Sequence, residues 1–151
     1  MQPSDNIKVH RVPVKAVIRA IRVPAVAELF NRGLAAAGED NIRLVIADLL
    51  TEHRQLWLVF GAGEPKPLAC WITNIQTAED GRKWLCVSAL AGRKMGEWVA
   101  KVADTMEAFA KREGCVCFRW AGKRAWRRAV PNARVVGRVS DSETCFERAV
   151  Q

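Results

Sequence analysis

The chain of 151 residues contains no tyrosine and only two histidines, His10 and His53. Chemistry that needs a tyrosine as proton donor is therefore excluded, and a metal centre has few nitrogen ligands available. No Cys-His or Ser-His pair has local support in the sequence for nucleophilic catalysis. Cys115 and Cys117 share one face of a predicted strand, but we expect them to be buried apolar thiols. We predict no metal site.

Long apolar runs are also missing. None approaches the roughly 20 residues that cross a bilayer, and the polar start of the chain lacks the features of a secretory signal. The five cysteines are an odd number without a regular framework, which favours reduced thiols in a cytosolic compartment. These features predict a cytoplasmic protein with no membrane contact.

Acidic residues are scarce in one part of the chain. The formal charge is +8, yet residues 82–138 contain 14 Lys or Arg and only four Asp or Glu. Residues 119–138 contain seven basic residues and no acid. Such one-sided charge favours an anionic partner, such as nucleic acid, a phosphorylated cofactor or an acidic protein, although a solvated basic face is an equal alternative.

The hydrophobic periodicity predicts a mixed α/β domain. A strand at 7–12 is followed by helical periodicity from Val14, by a break at Pro24 and by a further helix that Asn41 caps. Three strands at 56–60, 68–77 and 84–90 form an antiparallel meander, since turn residues separate them. With no repeat or linker, we expect one domain over residues 1–151.

The best helix of the chain comes after this meander. Trp98, Val102, Met106 and Phe109 share one helical face, and Gly114 is the expected terminator. A strand at 115–120, a short basic helix around 123–130 and two strands at 133–139 and 144–149 complete the pattern. The expected fold class is α/β, with a mixed and mainly antiparallel sheet flanked by helices.

This order of elements resembles the GNAT superfamily of acetyl-CoA-dependent N-acetyltransferases over nearly the whole chain. The run 106–115 and the sequence Gly-Lys-Arg-Ala-Trp at 122–126 are similar to those of short GNAT-like proteins of tailed bacteriophages. The resemblance implies a parallel pair formed by the strands 84–90 and 115–120 on either side of the central helix. It also implies a location in the host cytoplasm or in the virion.

In the superfamily, the cofactor pyrophosphate is held by a loop that leads into the central helix, where small residues expose backbone amides. Here Arg93-Lys94-Met95-Gly96 resembles the first half of that loop, while Trp98 replaces its last small residue. The resemblance implies that acetyl-CoA binds along a segment of the chain made up of Val87, Ala89, Leu90, Gly92, Arg93, Lys94, Met95 and Gly96. Cys117, Ser88 or water could replace the tyrosine of the family, and no catalytic base can be named.

Two functions are compatible with these residues. The first is an acetyl-CoA-dependent N-acetyltransferase that acts on an amine. The second is a non-enzymatic GNAT-fold module of a virion or an assembly, whose basic face contacts DNA or a phage structural protein. A nucleic-acid binder unrelated to the superfamily is a third possibility. The residues predicted to form the partner-binding face are Arg119, Lys123, Arg124, Trp126, Arg127, Arg128 and Arg134.

Overall fold

The computed structural model describes residues 6–123, 126–139 and 143–151. Within these ranges, a 3-10 turn at Val14–Ala16 precedes the first of five helices, and the helices and seven strands follow the predicted order. The strands are β1 Lys8–Arg11, β2 Gln55–Phe60, β3 Ala69–Thr77, β4 Lys83–Gly92, β5 Cys117–Gly122, β6 Arg134–Arg138 and β7 Thr144–Ala149. The helices are α1 Val17–Arg22, α2 Pro24–Ala36, α3 Ile42–Leu50, α4 Met95–Arg112 and α5 Trp126–Ala129.

Local sequence signals determine where several helices begin and end. Pro24 is the first residue of α2, where its missing N–H costs nothing, and it separates α2 from α1 as predicted. The Asn41 side chain accepts a hydrogen bond of 3.1 Å from the Leu44 amide and caps α3. Gly114 terminates α4 with a φ of +76°, a left-handed conformation that favours glycine.

All seven strands belong to one mixed sheet, in the order β1-β2-β3-β4-β5-β7-β6. The pairs β1–β2, β2–β3, β5–β7 and β6–β7 are antiparallel, whereas β4 and β5 run parallel. In the parallel pair, Trp84 lies opposite Cys117 and Val87 lies opposite Trp120. The predicted fold class and the predicted parallel pair are therefore confirmed.

The chain divides into two compact units. The first comprises Met1–Asn74 and Ser88–Trp98. In this unit, the apolar faces of α1, α2 and α3 form a core with residues of β2, β3 and the end of β4. Its members include Val17, Leu34, Val45, Leu56, Ile72 and Ala89. Burial of this apolar surface is the main stabilising contribution in the unit.

The second unit comprises Ile75–Val87 and Val99–Gln151. Three aromatic rings stack along its sheet, with Trp120 at 5.2 Å from Phe118 and 5.7 Å from Phe146 between ring centroids. Arg148, which is only 8% exposed, lies with its guanidinium carbon 5.9 Å from the centre of the Phe118 ring and pairs with Asp104 and Glu107 of α4. The two ion pairs attach β7 to the helix.

Most strand boundaries lie within one residue of the prediction, but three differ by two residues, and one of these is the end of β5 at Gly122 instead of Trp120. β5 begins at Cys117 instead of Cys115, because the Cys115 amide donates to the Ala110 carbonyl at 2.8 Å and so belongs to the end of α4. β4 extends to Gly92, two residues beyond the predicted end.

Among the described residues, no helix is both long and apolar enough to span a bilayer.

Candidate functional site

The connection between β4 and α4 consists of only two residues, Arg93 and Lys94. The Arg93 amide still donates to the Leu68 carbonyl at 2.8 Å, which continues the sheet pairing by one residue. Lys94 then adopts a left-handed conformation with a φ of +55°, and its carbonyl accepts from the Glu97 amide at 2.9 Å. The chain therefore turns sharply into α4, and the side chains of Arg93 and Lys94 remain exposed at the helix N-terminus.

Gly96 lies in the first turn of α4, where backbone amides lack partners within the helix. A Cβ placed on Gly96 would meet no atom within 4 Å, so this side of the turn is open. Unpaired amides and the positive end of the helix dipole favour an anion there. The connection thus combines two cationic side chains with an open helix N-terminus, which is an arrangement suited to phosphate oxygens.

Trp98 occupies the position where the family resemblance predicts a small residue. Its side chain is buried, with 3% of the residue exposed, and the indole Nε1 donates to the Arg93 carbonyl at 2.8 Å. The indole therefore lies on the buried side of α4 instead of the open side, and its hydrogen bond holds the backbone of the turn in place. In this way a residue that departs from the family pattern fixes the position of Arg93.

A carboxylate from another loop already contacts the two cations. Glu64, in the connection between β2 and β3, lies 3.3 Å from the Arg93 guanidinium and 3.9 Å from the Lys94 ammonium. All three side chains are between 39% and 53% exposed, so water screens this contact and it is easily exchanged. Its two oxygens show that this position accepts an anionic group. Local sequence gives no sign of this contact, because 29 residues separate Glu64 from Arg93.

Gly92 has a packing role that the resemblance did not predict. A Cβ on this residue would lie 2.5 Å from the Ala69 Cβ and 3.0 Å from the Leu68 carbonyl oxygen. Glycine is therefore required for the approach of β4 to the start of β3.

The other predicted cofactor-binding residues of this segment have varied surroundings. Ala89 is a core residue, Leu90 is half-buried and Met95 is the first residue of α4. Val87 precedes this segment, in the second unit.

The predicted partner-binding residues are not one set of free cations. Glu147, whose side chain is 4% exposed, accepts from Arg119 at 3.0 Å and from two nitrogens of Arg134. Arg119 also stacks over the Trp84 ring at 4.7 Å, and the Cys117 thiol donates to Glu147 at 3.5 Å. Two of the predicted cations are therefore paired with a carboxylate of the second unit, although Arg134 remains largely exposed.

The other predicted partner residues are described only in part. Lys123 and Arg128 are exposed. Arg124 lies outside the described residues, and so do the side chains of Trp126 and Arg127.

The buried carboxylate and the neighbouring thiols have perturbed acidities. Burial alone would raise the pKa of Glu147, but the hydrogen bonds from Arg134 and Arg119 hold it below its ordinary value. Burial raises the pKa of the Cys86 thiol to about 11 and also raises that of Cys117. These thiols stay protonated at neutral pH, which makes them poor nucleophiles.

Neither a metal centre nor a catalytic base emerges from the described residues. Within them, no group of three or more His, Cys, Asp or Glu side chains is placed to hold a metal ion. The Ser88 hydroxyl donates to the Ile72 carbonyl at 3.3 Å and is half-buried. Within the described chain, the turn between β4 and α4 is the feature with the clearest chemistry.

No family model and no curated protein matches the sequence. Solved structures do match it. A probable acetyltransferase from Staphylococcus epidermidis is 9% identical, with 96% of this chain and 99% of that chain covered and a TM-score of 0.68. An acetyltransferase from Thermus thermophilus is 17% identical over 95% and 97% of the two chains, with a TM-score of 0.56. An aminoglycoside N(6')-acetyltransferase from Legionella pneumophila is 11% identical over 96% and 92%, with a TM-score of 0.54. The chain therefore has the fold of GNAT acetyltransferases.

Proposed function

We propose that the protein is an acetyl-CoA-dependent N-acetyltransferase whose turn between β4 and α4 holds the pyrophosphate of the cofactor. The observation that carries the proposal is the position of Arg93, Lys94 and Gly96. Two exposed cations and an open helix N-terminus lie together in a fold shared with acetyltransferases. The Glu64 carboxylate at the two cations supports the fit, because its oxygens stand where phosphate oxygens would bind.

Each residue of the turn has a distinct part in this proposal. The Arg93 guanidinium can donate two parallel hydrogen bonds to a phosphate, whereas the Lys94 ammonium acts as a point charge. The amides of the first turn of α4 add neutral donors at the positive end of the helix dipole. Trp98 keeps the turn rigid through its bond to Arg93. The backbone of residues 87–90 would position the thioester.

Bound acetyl-CoA would supply the acetyl group as an activated thioester to an amine acceptor. The chain contributes no tyrosine to protonate the departing thiolate. Water can supply that proton, because the Cys117 thiol already donates to Glu147 and its raised pKa makes it a weak acid. The Legionella enzyme acetylates an aminoglycoside, as its name states, and we propose an amine acceptor here without naming it.

The competing function is a binding module that retains the GNAT fold without its chemistry. The absence of tyrosine favours this alternative. Under this alternative the protein belongs to a phage particle or assembly. That hypothesis rests on the resemblance of residues 106–115 and 122–126 alone. A module of this kind predicts no affinity for the cofactor, so one binding measurement separates the two functions.

Calorimetric titration with acetyl-CoA and with free CoA tests the proposal. We expect micromolar binding by the native chain and roughly hundredfold weaker binding by Gly96→Glu, because a carboxylate beside the phosphates costs several kcal/mol. Gly96 has open space around its Cβ position, so this variant should fold. Gly137→Glu is the matched control, since it adds the same charge at another open glycine.

Two results would count against the cofactor site. Equal binding by both glutamate variants would place the cofactor elsewhere on the chain. No heat from the native chain up to millimolar cofactor, together with an unchanged melting temperature, would contradict the enzyme hypothesis and favour the binding module.

Glu64→Gln should raise the affinity for acetyl-CoA by about two- to fivefold. The substitution removes the carboxylate that competes with phosphate for Arg93 and Lys94, and an exposed ion pair of this kind contributes roughly 0.2–1 kcal/mol. The same calorimetric titration measures the effect. Glu79→Gln, an exposed acid in the turn after β3, is the control for the change in net charge. A lower affinity in Glu64→Gln would mean that Glu64 orders the turn for the cofactor instead of competing with it.

A further inference from the structure

Residues 7–27 contain five basic residues and no acid. Two of them lie on or beside the edge strand β1, and the other three are Lys15, Arg19 and Arg22, which we call the basic stripe. The basic stripe lies in the first unit, on α1 and the 3-10 turn before it. The basic stripe is separate from the turn between β4 and α4, and its role does not rest on the proposed function.

The spacing of the three cations places them on one side of the helical segment 14–22, which consists of the 3-10 turn and α1. They are separated by four and three residues, which corresponds to one face of a helix with 3.6 residues per turn. All three are exposed, whereas Val17 on the opposite face is 1% exposed and belongs to the core. With a rise of 1.5 Å per residue, the stripe extends over about 10 Å along the helix axis.

The described part of the chain does not neutralise the stripe. No carboxylate among the described residues lies within 4.0 Å of the charged nitrogens of Lys15, Arg19 or Arg22, although Arg11 pairs with Glu52 at 3.8 Å. The helix dipole accounts for part of the pattern, since its negative end stabilises cations in a last turn. That effect covers Arg19 and Arg22 but not Lys15, which precedes α1.

We propose that the basic stripe binds the phosphodiester backbone of a nucleic acid. One strand of a duplex presents a phosphate about every 3.4 Å of axis, so the stripe can contact about three phosphates. Contacts of this kind need cations and little else, because counterion release supplies the affinity. Binding is therefore expected to be independent of base sequence.

The composition of this face distinguishes nucleic acid from the other anionic partners. A protein interface needs buried aromatic or large apolar anchors. Within residues 14–23 the structure exposes one large apolar side chain, Val23 at 45%, and this segment contains no aromatic residue. A helix that lies on a membrane needs its apolar face free to enter the lipid. In α1 the apolar face includes Val17, which is already buried in the core.

Fluorescence anisotropy with a short labelled DNA duplex of mixed sequence tests this proposal with the full chain. The test variant carries Lys15→Glu, Arg19→Glu and Arg22→Glu. The matched control carries Arg43→Glu, Lys66→Glu and Lys111→Glu, three exposed cations outside the stripe and outside the predicted partner-binding face, with the same change in charge. A glutamine version of the test variant removes the charge without adding acids, and circular dichroism confirms folding.

Three contacts predict that the affinity of the native chain falls about 40-fold between about 50 and 200 mM salt. The stripe variants should lose at least about 30-fold in affinity at low salt and most of the salt dependence, since the contacts themselves are gone. The control should lose less than about threefold, through the long-range field alone.

Three results would overturn the assignment. Equal losses in the stripe and control variants would mean that binding follows net charge. Undetectable binding at about 50 mM salt would remove the nucleic acid as partner, because non-specific affinities lie near 10⁻⁴–10⁻⁶ M even at higher salt. Binding to phosphatidylserine vesicles without binding to the duplex would assign the stripe to a membrane surface.

Discussion

Gly92→Ala is expected to destabilise the protein by about 3 kcal/mol, although only one methyl group is added. The new Cβ would lie 2.5 Å from the Ala69 Cβ and 3.1 Å from its Cα, which no side-chain rotation can relieve. Either the end of β4 or the start of β3 must move, and Ala69 is fully buried. Urea denaturation of the native chain and of the variant measures the difference in the free energy of unfolding.

The neighbouring glycine of the same segment provides the control. Gly96→Ala should stabilise the protein by about 0.5–1 kcal/mol, because Gly96 lies in α4 with open space around its Cβ position. The double variant Gly92→Ala with Ala69→Gly should recover part of the loss, since it removes the nearest clashing atom. A cost below about 0.5 kcal/mol for Gly92→Ala would show that the strands adjust freely and that glycine is present for another reason, such as access of the cofactor to the backbone.

The packing of Gly92 also bears on how well the sequence predicts the proposed cofactor-binding residues at 87–96. The resemblance placed Gly92 with Gly96 as residues of one binding loop, because both precede or begin the central helix. In the structure, the two glycines have different surroundings, one against Ala69 and the other open. The contact with Ala69 joins residues 23 positions apart in the chain, and local sequence patterns carry no information about such a pair.

Elements with local causes were predicted well. The cap of α3 at Asn41, the break at Pro24 and the end of α4 at Gly114 each depend on a few neighbouring residues, and all three are confirmed. The parallel pair of β4 and β5 came from the resemblance and is confirmed as well. Local chemistry therefore gives the order of elements, and family likeness gives the parallel pair.

Charge was the property that the sequence described least well. Counting residues treats Arg119 and Arg134 as free cations of a basic segment, whereas both bind Glu147 in the structure. Their partner lies 28 and 13 residues away and comes close only through the register of β5, β6 and β7. Conversely, the exposed cations Lys15, Arg19 and Arg22 lie in the acid-free run at 7–27. This run is outside residues 82–138, where the excess of basic residues is largest, so the charge count did not single it out.

Glu147→Ala is expected to lower the free energy of unfolding by about 2–3 kcal/mol near neutral pH. Loss of one partner from a buried ion pair typically costs 3–5 kcal/mol, and we discount that range because Arg134 and Arg119 are 73% and 36% exposed and can be hydrated. Glu147→Gln should cost less, about 1–2 kcal/mol, since it keeps the shape and one acceptor. Glu113→Gln, at an exposed position, should change stability by less than about 0.5 kcal/mol.

The acidity of Glu147 makes this prediction depend on pH in a definite direction. Its pKa is held below the ordinary value of 4.5 in the folded state, so the unfolded chain binds the proton more tightly. The contribution is therefore complete above about pH 4.5 and is lost as the pH falls through the folded-state pKa. The difference in stability between the native chain and Glu147→Gln should shrink as the pH falls below about 4.5, as urea denaturation at several pH values would show. A constant difference across that range would mean that the side chain stabilises the second unit by its shape and hydrogen bonds alone, and that its negative charge contributes nothing.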